Sequence, residues 1–206
     1  RVLNRPESYE EIEHYLNGAE SDIEGIVETL REKQAQGQTI FSSAYRLGGP
    51  NHTEYDDKLG QLLYGGIRDD LVPRFKEICH DTMFADTFEK ANQPLRDVRG
   101  LGEFFAYEVT TDLNYVWFDF DADDFVNVGP GAEAGLEKIY GEHIDDYEGM
   151  LRELQSEQGR FLPDDFPYMD ADPYLTARDI EHSLCEYSKF VRVRNGNGQT
   201  RKYKPE

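Results

Sequence analysis

Two glycines flanking one leucine, Gly100-Leu101-Gly102, sit between two apolar stretches and constrain the fold more than any other feature of the chain. A glycine reaches backbone conformations that a Cβ forbids, so two of them this close mark a sharp change of direction. Leu95 lies just before the turn, and Phe104, Phe105, Val109 and Leu113 carry a helical period after it. The pattern predicts a helix end, a tight turn and a second helix across residues 95–113. Amides opening that second helix would face outward with the positive end of the helix dipole behind them, which suits a phosphate. Gly100 and Gly102 are therefore candidate nucleic-acid contacts, and a plain helical hairpin with a glycine turn is the competing reading.

Helical signals dominate elsewhere, so the expected fold class is mostly α. Ser8–Glu11 and Ser21–Glu24 match the capping box and predict helices near 9–17 and 22–35. Ile40, Phe41, Tyr45 and Leu47 form a short apolar segment closed by Gly48-Gly49-Pro50-Asn51. Further helices are predicted near 54–64, 69–80, 82–92, 103–117, 132–141, 143–158 and 176–189. Three prolines and four aspartates make residues 162–174 a loop.

The C-terminal stretch departs from this pattern. Phe190-Val-Arg-Val-Arg alternates with period two, Asn195-Gly-Asn-Gly supplies turn residues, and Thr200-Arg-Lys-Tyr follows, predicting a small β-hairpin. Arg192, Arg194, Arg201, Lys202 and Lys204 face only Glu206 in residues 190–206. This basic segment could hold a nucleic-acid backbone, or equally pair with the acidic body of the chain.

That body is strongly acidic: 42 carboxylates against 22 basic residues leave a formal charge of −20 over 206 residues. Disorder is disfavoured by 13% aromatics and by the repeated apolar periods. Arginine outnumbers lysine 14 to 8, and an excess of hydrated carboxylates with little lysine suits a protein of high-salt surroundings, where screening removes self-repulsion. A halophilic archaeon or bacterium, or its virus, is the expected source. The length suits a single domain, 1–206. Cys79 and Cys185 occur in no metal-binding spacing, so a reduced cytoplasmic setting is expected. No apolar run approaches the ~20 residues of a membrane span. No metal site and no cofactor are expected.

Three constellations could carry chemistry. The acidic run Asp119–Asp124 lacks the glycine and glutamate placement of a calcium loop and is read as solvated. Gly129-Pro130-Gly131 leads straight into a helix, either as an anion site or as a plain loop-to-helix junction. On the helix near 176–189, Glu181, Cys185 and Ser188 share a face, and Glu186 and Lys189 are spaced for an ion pair or for acid, base or phosphate-ligand roles. Tyr45 and Arg46 form a further polar group.

Four blocks resemble one family in order: Ile40-Phe-Ser-Ser-Ala-Tyr-Arg46; Gly100-Leu-Gly-Glu-Phe-Phe-Ala-Tyr-Glu-Val-Thr-Thr-Asp-Leu113; Asp124-Phe-Val-Asn-Val-Gly-Pro-Gly-Ala-Glu-Ala-Gly-Leu136; and Ile180-Glu-His-Ser-Leu-Cys-Glu-Tyr-Ser-Lys-Phe190. Together they span about 38–195. They look like the helical domain shared by α-glutamyl/putrescinyl thymine pyrophosphorylases and 5-hydroxymethyluracil DNA kinases, which hypermodify thymine in DNA. The resemblance implies a fold related to helix-hairpin-helix DNA glycosylases, with Gly100 and Gly102 in the hairpin. Where a glycosylase has its aspartate, this chain has Gly129-Pro130-Gly131, so the resemblance implies substitution at the base in place of excision. An amine, either an amino acid or a polyamine, replaces pyrophosphate on 5-pyrophosphoryloxymethyluracil.

That reaction implies roles. Asp112 or Glu186 would take the proton of the attacking amine. Tyr45, Arg46, the Gly129–Gly131 helix start and Lys189 would hold substrate or leaving pyrophosphate. Gly100, Gly102, Arg192, Arg194, Arg201 and Lys202 would contact DNA, the expected partner beside the small amine. Glu103, Glu108 and Ser188 depart from the family pattern, and Glu103 would repel a phosphate at the hairpin. No P-loop GxxxxGK[ST] is present in the chain. A helix-hairpin-helix glycosylase and a non-catalytic DNA- or partner-binding helical module are the alternatives.

Overall fold

Pro6 starts the first helix, α1 (Pro6–Ile12), because its ring pre-sets the φ of a first turn and its missing N–H has no bond to make there. Ser8, expected to cap this helix, lies inside it instead. It is buried, and its Oγ donates to the Ile40 carbonyl at 2.9 Å. Helix α2 (Ile23–Ala35) is capped by Asp22, which accepts from the Gly25 amide at 3.0 Å, one residue after the expected cap at Ser21. The computed structural model describes residues 5–18, 20–41, 54–163, 165–166 and 175–197. These fall into two compact units, 1–120 and 121–206.

In the first unit, Ile23, Ile26, Val27 and Leu30 form one stripe of α2 and meet Ile12, Ile40, Leu59 and Leu63. Each such side chain contributes about 1.5–3 kcal/mol by leaving water. Residues 58–83 form a continuous rod in three geometries: an α turn Lys58–Gly60, a π-helix Gln61–Leu71 and α3 (Val72–Met83). The pattern predicts two helices here, near 54–64 and 69–80. Pro73 favours wide geometry at the C-terminal end of this section. In α geometry its ring would meet the carbonyl four residues back, and it has no N–H to donate. Just before it, the Val72 amide reaches back five residues to the Ile67 carbonyl.

The predicted helix near 82–92 is displaced to α4 (Phe88–Arg96), capped by the Thr87 hydroxyl. Helix α5 (Gly102–Asn114) follows and packs against α4. Leu95, Val98 and Ala106 of this hairpin close over Ile78. The expected helix–turn–helix of 95–113 is present, and the turn glycines take positive φ, 86° at Gly100 and 63° at Gly102. Gly66 of the π-helix lies against this turn, where a side chain would overlap the Arg99 carbonyl oxygen.

The second unit packs α6 (Pro130–Tyr140), α7 (Tyr147–Ser156) and α8 (Ala177–Arg194) around Val126, Ala132, Leu136, Leu151, Ala177, Ile180 and Leu184. Helix α8 opens with a reciprocal capping box. Thr176 Oγ1 accepts from the Asp179 amide while the Asp179 carboxylate accepts from the Thr176 amide. Asp123 tethers the same end, accepting from the Ala177 amide at 2.6 Å and from Gln155 at 2.9 Å.

The predicted C-terminal hairpin is corrected in its first arm: Phe190–Arg194 is the last stretch of α8. The period-two apolar signal is helical here because Val191 and Val193 are only half-buried and need no sheet partner. The turn residues serve as a helix stop. Gly196 takes φ 78°, and the amides of Gly196 and Asn197 return to Val193 and Arg192 carbonyls. The second arm, with Arg201 and Lys202, lies outside the described residues. No strand occurs among the described residues, and none of their helices is long and apolar enough to cross a membrane.

Candidate functional site

The second unit joins several of the expected site residues through the α6–α8 interface. Gly129 precedes α6 and donates its amide to Glu181 Oε1 at 3.3 Å. Glu181 projects from α8 and is only 4% exposed, so a carboxylate from within the chain faces the helix start that suits an anion. Its other oxygen lies 3.8 Å from His182 Nε2. One step further along α6, Gly131 sits against Cys185, where a Cβ would come within 2.5 Å of Sγ. Gly135 sits against Leu184, where a Cβ would come within 2.5 Å of the backbone oxygen. The glycines thus let α6 approach α8 far more closely than alanines would.

Past Cys185 the interface becomes polar. Lys189 Nζ donates to Glu186 Oε1 at 2.6 Å and lies beside the Cys185 thiol. The Glu186 bond holds the Lys189 ammonium above the usual lysine value, against the opposing effect of burial. Burial pushes the Cys185 thiol up, and the nearby Lys189 pulls it back only in part. Lys138 of α6 reaches Ser188 Oγ at 3.3 Å and the Ala134 carbonyl at 2.7 Å. Two ammonium groups therefore stand beside a thiol and a hydroxyl on consecutive turns. The sequence places Glu181 on a face with Cys185 and Ser188 but gives it no role, and it carries no signal for Lys138, which joins from α6.

In the first unit, Asp112 lies half-buried on α5. The hairpin turn is tied down from the rod: Asp70 accepts from the Arg99 amide at 2.6 Å and pairs with Arg74 at 3.0 Å. Glu103, at the first turn of α5, is exposed. A second network braces the rod against α2. Arg68 bonds Glu24 at 2.9 Å, Asp69 at 2.7 Å and Tyr55 at 2.6 Å, and stacks 4.3 Å from the Tyr64 ring centre. The Asp69 carboxyl is held below its usual value chiefly by Arg68.

Gly129, Pro130, Gly131, Glu186 and Lys189 thus share one unit, with Arg192 and Arg194 exposed in the last turn of α8. Asp112, Gly100 and Gly102 belong to the other. Tyr45 and Arg46 lie outside the described residues. No group of three or more metal-ligating side chains occurs among the described residues.

The described residues are helical throughout their regular structure and carry one tight helix pair in each unit, α4–α5 in the first and α6–α8 in the second. Residues 1–200 match the family described as 5-hmdU DNA kinase, helical domain, and the chain belongs to that family. It is 24% identical over 216 residues to the 5-hmdU DNA kinase of Bacillus phage SP10, an alignment covering 92% of this chain and 32% of that protein. The chain spans about a third of the length of this curated relative. No solved structure matches it.

Proposed function

We propose that this chain acts on 5-hydroxymethyl-derived thymine in DNA and replaces pyrophosphate on 5-pyrophosphoryloxymethyluracil with an amine. The observation that carries this reading is the match to the helical domain of 5-hmdU DNA kinases across residues 1–200. In the reaction the bond from the 5-methylene to oxygen breaks and its electron pair leaves with pyrophosphate. The amine nitrogen supplies the pair for the new carbon–nitrogen bond and then loses a proton. Lys189, kept cationic by Glu186, and Lys138 beside it suit the departing pyrophosphate. Asp112 and Glu186 are the candidate proton acceptors. The charge of −20 supports a high-salt setting, in which these local contacts count for more than net charge.

A second reading is favoured by the chain's spanning only 32% of the kinase relative. The helical domain would then present DNA to a catalytic partner without reacting itself. The experiment is mass spectrometry of nucleosides from DNA carrying 5-pyrophosphoryloxymethyluracil, incubated with the protein in molar potassium chloride with amino acids and polyamines. A new nucleoside mass with matching pyrophosphate release supports the transferase. Released free base would replace it with a glycosylase. Unchanged DNA that is nonetheless bound would select the presenting module.

A further inference from the structure

We infer that the turn Tyr115–Trp117 is a stacking platform for unpaired DNA bases, and that it supplies salt-tolerant affinity to a chain whose charge repels phosphates. This inference rests on the proposed action on DNA. Tyr115, Val116 and Trp117 follow α5 directly and are 76%, 70% and 64% exposed.

The turn is held firmly. The Tyr115 amide donates to Thr111 at 3.1 Å, and the Val116 and Trp117 amides return to the Leu113 carbonyl at 3.1 and 2.8 Å. Asn114 then closes the loop from both sides, giving its Nδ2 to the Phe120 carbonyl and receiving the Phe120 amide, each at 3.1 Å. Phe120 stacks on Phe118 at 5.0 Å and sets its edge against the buried Phe88. The turn is therefore fastened to the core on one side while its rings face water on the other. A backbone fixed in advance leaves only the side-chain freedom of the two rings to be lost when a ligand stacks on them.

The charge selects the occupant. A chain at −20 in molar salt gains little from the counterion release that drives ordinary DNA binding. Base stacking on aromatic rings needs no charge and tolerates any sequence. The carboxylates nearest in sequence, Asp112 one turn before Tyr115 and Asp119 two residues after Trp117, suit the N–H edges of bases and disfavour phosphates. A candidate proton acceptor on α5 thus lies one turn before the rings that would receive a displaced base.

Trp117 is the sole tryptophan, so its emission reports this turn alone. A short single-stranded oligonucleotide containing 5-hydroxymethyluracil, labelled at one end, is titrated with the full chain from dilute buffer to molar potassium chloride. Label anisotropy and Trp117 emission are followed together. The expected result is quenching that tracks the anisotropy, affinity retained in molar salt, and about tenfold weaker binding in each of Trp117→Ala and Tyr115→Ala. Trp117→Phe should keep most of the affinity. DNA binding without quenching, and unchanged in both alanine variants, overturns the platform and leaves the action on DNA standing. Affinity that vanishes in molar salt also overturns it. Absence of binding to any DNA overturns both. Quenching that depends on protein concentration without DNA would assign the turn to a second copy of the chain and overturn it too.

Discussion

Gly135→Ala tests the α6–α8 contact at its tightest point. An added methyl would lie 2.5 Å from the Leu184 carbonyl oxygen, 2.9 Å from its carbonyl carbon and 3.0 Å from its Cβ. Ordinary carbon contacts run at about 3.5–4.0 Å, so the helices must part by about 1 Å at this level. The neighbours are backbone atoms of a helix and have no rotamer by which to retreat. Overpacking of this kind costs about 1–3 kcal/mol, and alanine returns up to about 1 kcal/mol through its better helix propensity. The net loss should be about 1–2 kcal/mol, the more so because Leu136 and Ala132 beside it are fully buried. For a chain of this size that lowers Tm by about 2–8 °C, read by far-ultraviolet circular dichroism in molar salt. A melting point equal to or above that of the parent would refute the packing argument, since propensity alone would then be deciding the outcome. Gly131→Ala offers the contrast, because its obstacle is the Cys185 side chain. Combining it with Cys185→Ala should recover about 1 kcal/mol relative to the sum of the single changes.

Three further outcomes are expected. Thr176→Ala removes the α8 capping box and should cost about 1 kcal/mol in chemical denaturation, with no change in the slope. Burial pushes the Asp57 carboxyl up, but the Gly60 amide and the Arg31 guanidinium outweigh it and hold it below 3.8. A depressed folded value gives stability that is present above the unfolded value and lost as pH falls through the folded one. The denaturation midpoint should therefore drop as pH falls below about 4, with Asp69 and Asp86 adding to the fall. Asp57→Asn should flatten that slope, and an unchanged slope would discount the Asp57 contacts. If the transferase reading holds, the true proton acceptor among Asp112→Asn and Glu186→Gln should lose about 10²–10⁴ in rate with DNA binding intact. Equal activity in both variants would remove the two carboxylates from the mechanism.

Much of the helical layout was legible because burial writes itself into spacing. The stripe at Ile23, Ile26, Val27 and Leu30 is both a sequence period and a packed face. The turn at Gly100 and Gly102 was legible for a similar reason, since left-handed backbone leaves few residue choices. Phe190–Arg194 was misjudged because an alternating run at the frayed end of a helix looks like a strand when no tertiary partner is known. Glu181 was legible as part of a helix face but not as a buried partner, because a charged residue is normally assigned to solvent. Its burial depends on the Gly129 amide, 52 positions away in the chain. The glycines at the start of α6 suggested an anion site or a loop-to-helix junction, and their contact with α8 could not be deduced before the two helices were paired. The π-helix left no periodic trace of its own.

That wide section has a consequence for how the domain tolerates change. A ladder reaching back five residues stores more chain per turn than one reaching back four. It is slack held inside a rigid rod. A relative two residues shorter between positions 61 and 71 would tighten to ordinary geometry and keep both flanks in register, since about nine α residues turn as far as eleven π residues. A single deletion within α5 would swing Phe105 and Ala106 about 100° out of the core. Length differences within this domain should therefore gather in the rod and spare the hairpin it supports.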